Sequence, residues 1–199
     1  MHNLYKIVDE ENEHNGQLGV LQEVNEVAPH LSMFSLEFSD GRQSSFFSHQ
    51  LEKIPKKLIF LDVDGVLNSQ HYAVVSESRG VLGIDPYPAF LLGKIVLDTG
   101  CEVVLSSTWR LWKNAREDVR KQVVEFIDIT PDLGNVPRGE EIQKWLKDNN
   151  CEDARYAILD DNSDMLESQL PNFFQTTTEF GLTQKIAKAV TEHLNKGSK

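Results

Sequence analysis

Two rhythms of apolar and polar positions divide the chain. Over residues 1–54 the apolar residues come in short β-type runs: LYKIV, GQLGVLQEV, LSMFSLEF and RQSSFF. Turn signals at Asn15-Gly16, Ala28-Pro29 and Asp40-Gly41 separate them. LSMFSLEF alternates, with Met33, Ser35 and Glu37 on one face and Phe34, Leu36 and Phe38 on the other, as a half-buried strand does. This rhythm predicts about five short strands in a small β module. Pro55, Lys56 and Lys57 mark the boundary, and residues 55–199 read as a second domain of alternating strands and helices.

In that second part KLIFLD is a continuous apolar run, the mark of a strand buried on both faces of a parallel sheet. A helix is predicted over residues 88–99 with Gly100 just past its end. CEVVLS is the next strand, and LWKNAREDVRKQVVEFI is read as helix, with Leu111, Ala115, Val119 and Val123 four apart. After a Pro- and Gly-rich loop come the helix EEIQKWLKDNN, the buried strand ARYAILD and a shorter strand, NFFQTT. Thr183 is placed to cap a last helix over 184–194. The alternation predicts a three-layer, Rossmann-like α/β fold with a mostly parallel sheet.

Composition narrows the function. Twenty Lys+Arg against thirty-one Asp+Glu give a net charge of −11, which disfavours sequence-blind nucleic-acid binding, because phosphate contacts need cations. Residues 1–54 hold three of the cations against nine acids, so a protein partner suits that module better than RNA. The acidic start has no apolar signal core, and no run is long enough to cross a bilayer. Two cysteines, Cys101 and Cys151, build no disulfide framework; a cytoplasmic location with no membrane partner is the expectation.

The chemistry lies where apolar strands run into polar residues: KLIFLDVDG, EVVLSSTWR and YAILDDNSD. In an open α/β sheet, ligands bind at the carboxyl ends of the strands. Asp62, Asp64, Ser106, Ser107, Asp160, Asp161 and Asp164 are therefore expected at one edge. So many carboxylates together call for a cation, and all-oxygen ligands select a hard one such as Mg²⁺. Asp62-Val63-Asp64-Gly65 is the sharpest element: paired carboxylates can share the work of nucleophile and general acid/base. Asp-Gly is also a common turn dipeptide, but the apolar strand before it and VLN after it favour the chemical reading.

LDVDGVLN, VVLSS, the lone Arg138 and LDDNSD stand in the order of the haloacid dehalogenase (HAD) superfamily of phosphohydrolases. The longer strings VVLSSTWR, PRGEEIQKWL and YAILDDNSDM resemble the HAD domain associated with Swiss army knife RNA-repair proteins. The likeness covers about residues 57–195. It implies that Asp62 is the nucleophile forming an aspartyl-phosphate and that Asp64 protonates the leaving group and then activates water. It further implies that Ser106 bonds the transferring phosphoryl, that Arg138 offsets its charge, and that Asp160 completes a Mg²⁺ shell with the Asp62 carboxylate and the Asp64 carbonyl. Ser107 and Thr108 adjoin Ser106, so the phosphate-binding hydroxyl can shift by one. Asp160, Asp161 and Asp164 fit two spacings, with Asp160 favoured as direct ligand and the others as outer partners. Lys144 lies inside its helix, which leaves Arg138 at the helix start as the better cation. The N-terminal glycine spacing, GQLGVL then DGRQSSFF, resembles SH3-like or KOW-type barrels.

Weaker signals remain. Arg110 stands near a strand end and is a candidate substrate contact, as is Asn68, which can equally cap its turn. Lys113 and Arg116 read first as a solvated helix face. Trp109 and Trp112 can stack on a ring or pack the helix on the sheet. The stretch between Asn68 and the 88–99 helix is too short for a large lid, and within the HAD superfamily an uncapped site goes with bulky substrates. The expected function is a Mg²⁺-dependent phosphatase acting on a phosphorylated substrate. The alternatives are a polynucleotide-end or nucleotide phosphatase or phosphotransferase, and a non-catalytic Mg²⁺- or phosphate-binding protein.

Overall fold

The computed structural model describes residues 3–75 and 83–196, and the chain divides into two compact units, Met1–Lys56 and Lys57–Lys199. Residues 76–82, part of the stretch expected to be too short for a lid, lie outside the described residues.

In the first unit five strands, β1 (Leu4–Ile7), β2 (Leu18–Ala28), β3 (Leu31–Glu37), β4 (Gln43–Phe47) and β5 (Leu51–Ile54), form an antiparallel sheet. Its order is β4-β3-β2-β1-β5. The alternation read in LSMFSLEF holds: Leu36 and Phe38 join Ile7 and Phe46 in a small core against which Phe34, Tyr5, Leu21 and Leu51 pack. Gly19 on β2 sits opposite this core, where a Cβ would come within 2.8 Å of the Leu36 Cβ. Among the described residues nothing pairs β4 with β5, so an SH3-like closure remains a proposal for this module.

The second unit is a parallel five-stranded sheet in the order β10-β9-β6-β7-β8. Its strands are β6 (Lys57–Leu61), β7 (Glu102–Leu105), β8 (Asp128–Ile129), β9 (Arg155–Asp160) and β10 (Phe173–Gln175). Among the described residues five α-helices accompany it: α1 (Gln70–Val75), α2 (Pro86–Thr99), α3 (Lys113–Gln122), α4 (Arg138–Asp148) and α5 (Gln184–Leu194). Central β6 shows why the run KLIFL is apolar throughout. Ile59 and Leu61 face a core shared with α2, α3 and α5, while Leu58 and Phe60 face another shared with Ile142, Trp145 and Leu146 of α4. A strand covered on both sides needs no polar face. The fold is therefore a three-layer, Rossmann-like α/β sandwich.

Local chemistry sets the helix ends. Asp85 caps α2 by accepting from the Tyr87 N–H, Pro86 takes the first turn, and Gly100 ends it. Thr183 caps α5 as its position suggested. The stretch expected as one helix from Leu111 divides instead. Thr108–Leu111 forms a 3₁₀ turn, Trp112 is extended, and α3 stops at Gln122, before Val123-Val124. Two-residue β8 follows just past the end of that expected helix, where the sequence passes into the Pro- and Gly-rich loop, and is too short to carry a period of its own. No helix among the described residues is long and apolar enough to cross a membrane.

Candidate active site

The register of the sheet brings three strand ends level. Leu61 of β6 pairs with Leu105 of β7 and with Leu159 of β9, so Asp62, Ser106 and Asp160 come next, side by side. Asp62 is buried, and its Oδ1 accepts from the Arg138 guanidinium at 3.0 Å. Burial pushes the Asp62 carboxyl above its ordinary range, while Arg138 and the Ser107 hydroxyl, which also bonds it, pull the other way. Asp160 is fully buried; Oδ1 accepts from the Asn162 N–H, whereas Oδ2 has no hydrogen-bond partner and stands 3.4 Å from Arg138. Burial, then repulsion from Asp62, raises Asp160 to about 7.

Arg138, the first residue of α4, is positioned from behind. Its backbone N–H donates to Asp164 Oδ2 at 2.9 Å, and its guanidinium also reaches the Ser106 carbonyl at 2.6 Å. Burial alone would weaken its charge, but the facing carboxylates of Asp62 and Asp160 turn the net shift upward. Lys144, by contrast, pairs with Asp148 on the exposed face of α4.

Oxygen atoms of Asp62, Asp160 and Asp161 lie within 4.8 Å of one another. The set fits a small hard cation on two observations: all three donors are carboxylate oxygens, and Asp160 Oδ2 is buried without a partner. Asp161 is held by the Thr178 hydroxyl at 2.9 Å and crowds Gly65, where a Cβ would come 2.4 Å from its carboxyl carbon at a φ of +70°. No side chain fits there, so the glycine of DVDG is a packing requirement of the carboxylate cluster.

Three expected site residues lie elsewhere or are otherwise engaged. Arg110 is buried and spends all five N–H groups on protein: the carbonyls of Thr130, Ser106, Ser107 and Pro131, and Glu141 Oε2 at 2.7 Å. No donor is left for a substrate; the residue is a strut between the β7 loop and α4. Asp164 is apart from the cation cluster and caps α4, accepting the N–H groups of Arg138 and Gly139. Asn68 is buried and turned inward, accepting from the Gly65 N–H at 2.9 Å and donating to Asp64 Oδ1 at 2.8 Å.

The two serines also differ. Ser106 Oγ is fully buried and unpartnered, while the Ser107 hydroxyl bonds Asp62 and accepts from the Trp109 N–H. Two more side chains complete the frame: Trp109, read from the sequence as a stacking or packing ring, donates its Nε1–H to Asp64 Oδ2 at 3.0 Å, and the Thr176 hydroxyl, which the sequence left unmarked, ties the Gly65 carbonyl at 2.7 Å. Glu141 shows no such signal either, because its partner lies 31 positions away.

The family described as the HAD domain in Swiss Army Knife RNA repair proteins matches residues 58–187, which hold all the side chains above. The chain belongs to this HAD family. HAD domains are phosphatase- and hydrolase-type enzymes in general, and they generally use Mg²⁺, in keeping with the carboxylate cluster. No curated protein and no solved structure matches the chain.

Proposed function

We propose that this HAD domain is a Mg²⁺-dependent phosphatase that cleaves phosphate monoesters through an aspartyl-phosphate on Asp62. The observation that carries the reading is the buried Asp62 carboxylate held 3.0 Å from Arg138, beside a second buried carboxylate with an unpartnered oxygen. A nucleophile kept in place by a cation, next to a site for a further cation, is what phosphoryl transfer asks of a protein.

In the first step an Asp62 oxygen bonds phosphorus as the ester P–O bond breaks, and Asp64 gives its proton to the departing oxygen. In the second, water attacks phosphorus, Asp64 takes a proton from it, and the P–O bond to Asp62 breaks to return the carboxylate and release phosphate. Arg138 offsets charge on the phosphoryl oxygens, and Ser106 or Ser107 donates a hydroxyl to them. Mg²⁺, held by Asp62, Asp160 and the Asp64 carbonyl with Asp161 beside them, would neutralise the phosphoryl oxygens as a Lewis acid.

A second reading, a phosphatase of polynucleotide ends, is favoured by the description of the matched family in RNA repair proteins. The net charge of −11 opposes it. Salt-sensitive binding to oligonucleotides with a terminal phosphate would decide for it, and indifference to them against it. A cytoplasmic location, and a protein partner for the N-terminal sheet, complete the proposal.

The test is hydrolysis of an aryl phosphate by wild type and Asp62→Asn, with Mg²⁺ and with chelator. The expected outcome is Mg²⁺-dependent release in wild type, falling on the order of 10³-fold or more in the variant. Equal release by both proteins would refute the covalent route.

A further inference from the structure

Asp64 is exposed on a turn, where a carboxylate normally samples several rotamers, yet both of its oxygens are taken. Oδ2 accepts from the Trp109 indole at 3.0 Å and Oδ1 from the Asn68 amide at 2.8 Å. The two donors come from different segments, one after β7 and one after β6. Trp109 packs against the core shared by β6, α2, α3 and α5, so its N–H is a fixed donor. Asn68 is buried, and its orientation is settled by the Gly65 N–H, which requires the carboxamide oxygen on that side and the NH₂ towards Asp64. Neither N–H can accept, so nothing competes with the carboxylate for these contacts.

We propose that Trp109 and Asn68 form a clamp that positions the Asp64 carboxylate for proton transfer. The proposal rests on the phosphatase reading above and names the positioning residues of that same site. A carboxylate bonded through both oxygens cannot turn about its last torsion, so its proton-carrying atom meets the departing oxygen in one orientation. General acid catalysis is worth about 10²- to 10⁴-fold, and an error of about 1 Å in placement can cost about 10²-fold. Trp109 therefore acts through Asp64 as a positioning residue, whatever the substrate's other contacts.

The consequence depends on the leaving group. An alkoxide needs the proton as it departs, whereas a nitrophenolate leaves readily without it. The experiment compares wild type, Trp109→Phe and Asn68→Ala on an alkyl phosphate and on p-nitrophenyl phosphate, with melting temperatures measured in parallel. Trp109→Phe keeps an aromatic ring on the core and removes the N–H together with part of the ring surface, whose loss the melting temperatures register. The expected result is a fall in kcat/KM, which reports the step in which the leaving group departs and not the later hydrolysis common to both esters, about 10-fold larger on the alkyl ester than on the aryl ester, and a change in the same direction for Asn68→Ala. An equal fall on both esters would make Trp109 a structural residue, and no fall on either would leave the clamp without a role. Either result overturns the proposal while leaving the phosphatase reading intact. A wild type inactive on both esters overturns that reading and the clamp with it.

Discussion

Arg110 and Arg138 both donate to the carbonyl of Ser106, yet their surroundings differ in kind. Around Arg110 every N–H meets an oxygen, and its paired carboxylate, Glu141, has its other oxygen on the Leu133 N–H at 3.2 Å. Around Arg138 one guanidinium faces two buried carboxylates, a buried oxygen of Asp160 has no hydrogen bond, and the Ser106 hydroxyl is unpartnered. The first region pairs its charged groups within the chain and leaves a neutral hydroxyl, Thr130 Oγ1, unpartnered; the second leaves a carboxylate oxygen unmatched and is short of positive charge. Buried charges are normally paired, so the region with the unmatched carboxylate oxygen is the one built to receive something.

One amide-for-carboxylate change in each region should therefore act with opposite sign. Glu141→Gln removes the carboxylate paired with a buried arginine and sets an NH₂ against N–H donors. Breaking such a pair is expected to cost about 3 kcal/mol or more, read as a lower urea midpoint. A stability unchanged by Glu141→Gln would remove the distinction between the two regions.

Asp160→Asn should do the reverse in metal-free protein. The folded Asp160 sits at about 7, above the value near 3.9 of an unfolded carboxyl. Between about pH 4 and 7 the native state therefore holds a proton that the unfolded chain has lost, and wild-type stability falls as pH rises through that window. Asn carries no such charge, so the variant is expected to gain up to about 4 kcal/mol at pH 8 and nothing near pH 4. Unfolding curves across that range, with chelator present, would check it, and a loss of stability at pH 8 would count against the charge-deficient cluster.

What the sequence made legible follows the range of the interactions involved. The strand ends at Asp62, Ser106 and Asp160 were readable because an apolar run that stops at a carboxylate or hydroxyl is a local pattern. The choice of Arg138 over Lys144 was likewise local, resting on position within a helix, and the structure puts Arg138 beside Asp62 while Lys144 pairs at the surface. Arg110 was misread because its partners, Thr130, Pro131 and Glu141, lie 20 to 31 positions away, and adjacency to a strand end says nothing about saturation. Asp164 fitted a metal spacing, and only the approach of α4 shows that its oxygen serves the Arg138 N–H. The helix expected from Leu111 broke because Trp112 is extended and Trp109 turns back to Asp64, contacts that no four-residue spacing contains.

The central claim is that Asp62 bonds phosphorus, and the most direct measurement is to find that bond. Wild type mixed with an aryl phosphate and Mg²⁺, quenched rapidly and reduced with borohydride, would convert an aspartyl-phosphate to homoserine, which peptide mass spectrometry locates. The expected result is homoserine at position 62, absent when chelator replaces Mg²⁺. Full turnover with position 62 still aspartate at every quench time, or with the modification at another carboxylate, would contradict it.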